Sequence, residues 1–116
     1  MTIRTHTSGL KTLQTEALLV PVAQPAREQL SQEVQSFLPE RVLEDFSGKQ
    51  GEVQVCYLER PGIKRLVLVG MGDQTVGGAG SIERWRRAIG RGVRELLQRQ
   101  VTELAVLVEI ADPRAL

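Results

Sequence analysis

Two stretches of this 116-residue chain carry residue types that could do chemistry. The first is Gly70-Met71-Gly72-Asp73, with Gly77 and Gly78 close behind. Between a strand and a helix, such a run can turn successive backbone amides toward a phosphate. A helix N-terminus then adds a field that favours an anion. The candidate ligand contacts are Gly70, Gly72, Asp73, Gly77 and Gly78. The spacing falls short of two fingerprints, however. A dinucleotide loop needs a third glycine three residues after Gly72, where Thr75 stands. A P-loop needs a lysine before the helix, and no lysine lies between Arg65 and the C-terminus. The competing reading is structural: the glycines supply positive φ and flexibility.

The second stretch is Ser81–Gln100, with six arginines against Glu83 and Glu95, a local net charge of +4. The total of +1 hides this asymmetry, since the rest of the chain must carry −3. At about 100° per residue, Arg84, Arg87, Arg91 and Arg94 share one sector of a helix. They lie opposite Ile82, Trp85, Ile89 and Val93. Three readings stand beside one another: a solvated face, a docking surface for an acidic partner, and a nucleic-acid contact. A near-neutral total gives no general reason to expect nucleic acid, so that partner is the least favoured. Aromatic residues are 3% of the chain, which leaves few platforms for stacking bases.

Other chemistry is thinly supplied. One histidine (His6) and one cysteine (Cys56) exclude the usual His/Cys zinc sites and any internal disulfide. His6 has no partner in sequence that would make it a base or a ligand. No carboxylate pair is singled out by its spacing, and no nucleophile elbow or metal-binding helix motif occurs. No catalytic or metal-binding residue is therefore assigned. No run of about 18 apolar residues could span a membrane, and the N-terminus does not read as a secretory signal. A cytoplasmic location is the expectation.

The elements that must position these residues follow from hydrophobic patterning. Thr2–Thr5 alternates as a brief edge strand. Ala17–Val22 and Leu66–Gly70 are continuously apolar, as strands covered on both faces are. Pro21 has no amide to donate, so it belongs at a strand end or an unpaired position. Pro25 opens a helix whose stripe is Ala26, Leu30, Val34, Phe37 and Leu38. Pro39–Phe46 makes a second short one, with Val42, Leu43 and Phe46 inward. Val53, Val55 and Tyr57 alternate with Gln54, Cys56 and Leu58 as a strand, and Leu104–Ile110 is the last one, stopped by Asp112-Pro113. Ser81 caps the long helix, whose buried stripe is Ile82, Trp85, Ile89, Val93, Leu96 and Leu97. Gly90 and Gly92 within it suggest close packing on the sheet. The order predicts one domain over 1–116. Its fold class is α/β in three layers, with a mixed, mostly parallel sheet of about five strands flanked by helices.

Four strings make the chain resemble a known family. Glu16-Ala17-Leu18-Leu19-Val20-Pro21-Val22 is similar to a strand typically written A-D-A-L-V-V-P-V. Asp45-Phe46-Ser47-Gly48-Lys49-Gln50-Gly51-Glu52 matches D-F-x-G-K-x-G-E, the most specific of the four. Arg65–Gly72 resembles R-V-L-L-V-G-L-G, and Arg86–Val93 resembles R-R-A-A-G-A-A-A. In order and spacing these resemble the N-terminal domain of the leucyl aminopeptidases, the M17 family of cytosolic metallo-exopeptidases.

The resemblance implies a macro-domain-like fold. It also implies that the two divalent metals, zinc or manganese, and the catalytic residues belong to a separate C-terminal domain absent from this chain. On that footing the chain is inactive alone and needs no cofactor of its own. Its partners would be the catalytic domain in cis and further copies of itself, with Arg84, Arg87, Arg91 and Arg94 as the surface. The alternative is a stand-alone macro-like module that binds a nucleotide or ADP-ribose through the Gly70–Gly80 loop.

Overall fold

The continuous apolar runs become the central strands of one five-stranded sheet. A computed structural model describes residues 2–6, 9–73 and 80–108. Its strands are β1 (Thr2–His6), β2 (Leu18–Gln24), β3 (Val53–Tyr57), β4 (Arg65–Asp73) and β5 (Glu103–Leu107). The spatial order is β1-β5-β2-β4-β3. Every neighbouring pair is parallel except β3 with β4, so the sheet is mixed and mostly parallel. This is the α/β class expected.

Alternation along the inner strands sends side chains to two separate cores. Leu18, Val20, Val22, Leu66, Leu68, Ala105 and Leu107 enter one core. Leu19, Val67, Val69, Leu104 and Val106 enter the other. Leu18, Leu19, Leu66, Val67, Leu68 and Val69 are wholly buried, which explains why these runs do not alternate with polar residues. One edge strand contrasts with them. Four of the five residues of β1 are exposed, including Ile3.

Pro21 sits in the middle of β2, at an unpaired position. The Ala17 carbonyl accepts from the Ala105 amide, so Ala17, Leu19 and Pro21 turn their polar groups toward β5. Pairing between β2 and β5 stops at Leu19↔Val106, where the next residue facing β5 has no N–H to give. On its other side β2 continues to pair with β4 as far as Gln24↔Asp73.

Three short helices cover the first core: α1 (Ala26–Gln29), α2 (Gln32–Ser36) and α3 (Glu40–Asp45). The single helix expected after Pro25 is thus two. Leu30 is extended, and the Ser31 hydroxyl caps a new start by accepting from the Val34 amide. The stripe survives the break, with Ala26, Leu30, Val34 and Leu38 buried and Phe37 packed at its edge.

One long helix, α4 (Gly80–Gln98), covers the second core. It begins ahead of Ser81, which lies within its first turn and not at its cap. Its buried line is Ala88, Gly92 and Leu96, with Trp85, Ile89 and Val93 packed beside them. Ile82 and Leu97, expected in that stripe, are 61% and 53% exposed. Leu97 falls beyond Val93 on the margin of the 3.6-residue stripe, whereas Ile82 shares the stripe's angular range and is exposed in the first turn of the helix. The two helix glycines also part company. A Cβ on Gly92 would stand 2.3 Å from Leu19 Cδ1, whereas one on Gly90 would meet nothing within 4 Å. Close packing explains Gly92 alone.

Candidate functional site

The expected ligand loop is partly strand. Strand β4 runs on to Asp73, so Gly70, Gly72 and Asp73 pair with Val22, Ala23 and Gln24 of β2. Gly77 and Gly78 lie outside the described residues. The register slips between Val22 and Ala23, which leaves Met71 as an extra residue on β4.

The backbone of these glycines is already engaged, by the stretch Asp45–Glu52. The Gly70 amide donates to the Glu52 carbonyl at 2.8 Å, and the Gly72 amide donates to the Gly48 carbonyl at 2.8 Å. The Gly51 amide donates back to the Gly70 carbonyl at 3.2 Å. A Cβ at Gly70 would sit 1.9 Å from the Lys49 carbonyl oxygen, inside any possible contact. Glycine here serves the close approach of two backbones. It leaves no amide pair at Gly70 and Gly72 free to cradle a phosphate.

Glu52 closes the same stretch from within. Its Oε1 accepts from the amides of Ser47, Gly48 and Lys49 at 3.2, 3.0 and 3.2 Å, and from the Ser47 hydroxyl at 3.0 Å. A carboxylate among converging amides gives charge-assisted bonds, roughly twice as strong as neutral ones. Phe46, buried among the short helices, anchors the start of the stretch. Its Ser47 carbonyl accepts from the Ala26 amide that opens α1. The sequence reading missed this clasp. The available signal was a glutamate four residues after a Ser-Gly pair in a glycine loop, a spacing at which a side chain reaches back to amides.

A shallow cavity of about 430 Å³ lies where β2, β4 and the clasp end, lined by Gln24, Pro25, Ala26, Arg27, Phe46, Ser47 and Asp73. Its one cation, Arg27, is paired with Glu40. A second crevice, about 190 Å³, opens where β2 parts from β5 beyond Pro21, between Leu30, Met71, Trp85 and Leu107. It is smaller than the 300–1,000 Å³ usual for small-molecule sites.

The four arginines do share one side of α4, away from Ala88, Gly92 and Leu96. Most are held within the fold. Arg84 donates to the Asp73 carbonyl. Arg87 pairs with Glu83 at 3.3 Å, and Arg91 with Glu95 at 3.4 Å. Arg94 is exposed, with no ion pair among the described residues. Arg99 also reaches Glu95, and it donates to the Tyr57 hydroxyl at 2.9 Å. These contacts hold the Tyr57 phenol below its usual range, through hydrogen bonds from Arg65 and Arg99.

At the opposite end of the sheet, Glu103 and Glu16 tie β1, β2 and β5 together. Glu103 accepts from Arg4 at 2.6 Å and from the Thr15 hydroxyl at 2.7 Å. Glu16 accepts from the Thr102 amide at 2.9 Å, which holds its carboxyl below the ordinary value. Burial pushes the Glu103 carboxyl up, but the bonds from Thr15, Arg4 and the Glu16 amide outweigh it, and the net direction is down.

The remaining chemistry is quiet. His6 donates from Nε2 to the Gly9 carbonyl at 2.9 Å. Burial pushes the Cys56 thiol up, away from the reactive thiolate. Among the described residues, no three His, Cys, Asp or Glu side chains form a group that could hold a metal. The described residues thus offer no ligand set for a two-metal centre. No helix among the described residues is long and apolar enough to cross a membrane.

Comparison with known proteins decides the family. The profile of the cytosol aminopeptidase family, N-terminal domain, matches residues 15–114. The chain belongs to the cytosol aminopeptidase family. Its match is to that family's N-terminal domain, which includes the clasp and all of β2 to β5. A cytosol aminopeptidase from Dictyostelium discoideum is 30% identical over 94 residues, which is 78% of this chain and 18% of that protein. Among solved structures, a mutant tomato leucine aminopeptidase aligns with a TM-score of 0.58 and 19% identity. That alignment covers 92% of this chain and 23% of the tomato chain, and it supports the fold alone. The chain thus spans about a fifth of the length of these relatives.

Proposed function

We propose that this is the non-catalytic N-terminal domain of a leucyl-aminopeptidase-like protein. Its full-length form would release N-terminal residues from peptides, using two divalent metals held in a separate catalytic domain. The domain itself docks that catalytic domain in cis and takes part in oligomer assembly, in the cytoplasm. The observation that carries this reading is the family match over residues 15–114, set against a chain that spans 18% of its Dictyostelium relative. The family's fold is present, and the greater part of a relative's length lies beyond the match.

The macro-like alternative would place a nucleotide or ADP-ribose near Gly70, Gly72 and Asp73. The geometry counts against it, because the Gly70 and Gly72 amides serve Glu52 and Gly48. The test uses the purified 116-residue chain. With added Mn²⁺ or Zn²⁺ it should release no product from a leucine chromogenic amide, and calorimetry with millimolar ADP-ribose should show no heat. Turnover would overturn the docking role, and saturable heat would move the chain to the binding-module reading.

A further inference from the structure

Strand β3 is an edge that the fold leaves open. Among the described residues it pairs with β4 alone. The side of the strand that faces outward can be worked out from its neighbours. The Glu52 carbonyl accepts from Gly70 of β4, and the Leu58 amide donates to Lys64 just before β4. The even-numbered residues therefore turn their polar groups inward, and Val53, Val55 and Tyr57 turn theirs to the open edge.

A groove of about 640 Å³ runs beside this edge, with Phe37, Pro39, Arg41 and Val42 on its far wall. On its near wall it touches every residue from Gln54 to Arg60, the ones pointing to either face alike. A groove along the rim of the sheet does that; one buried beneath a single face would not.

Edge strands are commonly protected by charge, proline or a bulge. The far edge follows this rule, since β1 carries Arg4 at its centre, paired with Glu103. The Val53–Tyr57 edge has no charge, no proline and no register shift against β4. Tyr57 is 61% exposed upon it.

The geometry points to a second copy of this chain as the occupant, with β3 pairing antiparallel to β3 about a two-fold axis through Val55. The strand is complementary to itself in that register. Val55 faces Val55, and Val53 faces Tyr57 at each end. All three outward-facing residues of both strands are used, giving about six new main-chain hydrogen bonds. A two-fold axis one residue away, at Gln54 or Cys56, would leave an outward-facing residue unpaired. The valine–valine and valine–tyrosine pairs lie on the α4 face, where cross-strand β-branched and aromatic pairs stabilise a sheet. Glu52 falls opposite Leu58, so no like charges meet along the strand. Two five-stranded sheets become one of ten strands. An isologous contact of this kind closes at two copies.

This deepens the assembly part of the proposed role and rests on that part only. The test uses the 116-residue chain. Sedimentation should show a concentration-dependent doubling of mass. Val55→Pro should abolish it while far-UV circular dichroism is kept, because the Val55 amide serves no bond within the sheet. A covalent probe stands apart from that variant's folding. In a Cys56→Ala background, Val55→Cys should cross-link to itself on oxidation, since facing Cα atoms about 5.5 Å apart lie within disulfide range. Val53→Cys alone should not cross-link, whereas Val53→Cys with Tyr57→Cys should.

A chain that stays monomeric to roughly 1 mM, or a dimer that cross-links through Val53→Cys alone, overturns the proposal. Either result leaves the docking reading standing. That reading falls separately, on turnover or on ADP-ribose heat.

Discussion

The two faces of the sheet are covered by different means. On one face lies a single helix of 19 residues. On the other lie three helices of four, five and six residues. Helices shorter than about 12 residues are marginal in water and take their order from packing. α4 needs only a place to lie, and Gly92 supplies it by letting the helix approach Leu19 and Val69. The short helices need their connections fixed. The clasp does this, joining Ser47 to α1, Glu52 to Ser47–Lys49, and Gly48 and Glu52 to β4. One face is set by the size of a side chain, the other by backbone hydrogen bonds.

Substitutions can break or sharpen that contrast. The largest effect is expected at Gly70. An added methyl collides with the Lys49 backbone, which cannot swing aside as a side chain can. Gly70→Ala should cost about 3 kcal/mol or more in urea unfolding, with loss of order in the short helices. Glu52→Ala follows, at about 2 kcal/mol, because it strands three amides and a hydroxyl. Equal stability of Glu52→Ala and the parent would show that the clasp is ornamental.

The helix glycines should give opposite signs. Gly92→Ala pushes against Leu19 and should cost about 1–2 kcal/mol, partly offset by helix propensity. Gly90→Ala meets open space and should stabilise by about 0.5–1 kcal/mol. Matching signs in thermal melts would refute the account of α4.

The smallest effect concerns acid. Glu16 and Glu103 have carboxyls held below the ordinary glutamate value in the fold. A group depressed on folding stabilises above its unfolded value and loses that contribution as pH falls through its folded value. The urea midpoint should therefore drop below about pH 4.5. Glu103→Gln should flatten that slope. An unchanged slope would remove the network from the account of acid stability.

Much of the architecture was legible because burial on both faces writes itself as unbroken apolar runs. Leu18–Val22 and Leu66–Val69 could be little else. The strand expected over Val53–Leu58 was legible to within one residue, since it ends at Tyr57. The break at Leu30–Ser31 was not, because the apolar stripe continues through it and only the Ser31 hydroxyl marks the new start. Gly70–Asp73 read as a loop because glycine weakens a strand by propensity. Its reason for being there, the backbone of Lys49, is more than twenty positions away. All four arginines stood out by spacing, yet three of them have partners near in sequence (Glu83, Glu95) or near in space (Asp73). Charge pattern alone does not tell a held cation from one offered to a partner. The groove beside β3 left no trace in sequence, since it is made by what the neighbouring helices do not cover.

The place of β1 has a consequence in time. Its partner is β5, in a register that sets Thr2 against Glu103, and β5 also separates it from every other strand. A ribosome making this chain adds about 100 residues between the two, roughly 5–20 s of synthesis at usual rates. Through that interval β1 lacks the strand it pairs with. The open side of β2 waits as well. Of the five strands β1 is thus made first and among the last placed, and the nascent chain completes this sheet only when β5 arrives.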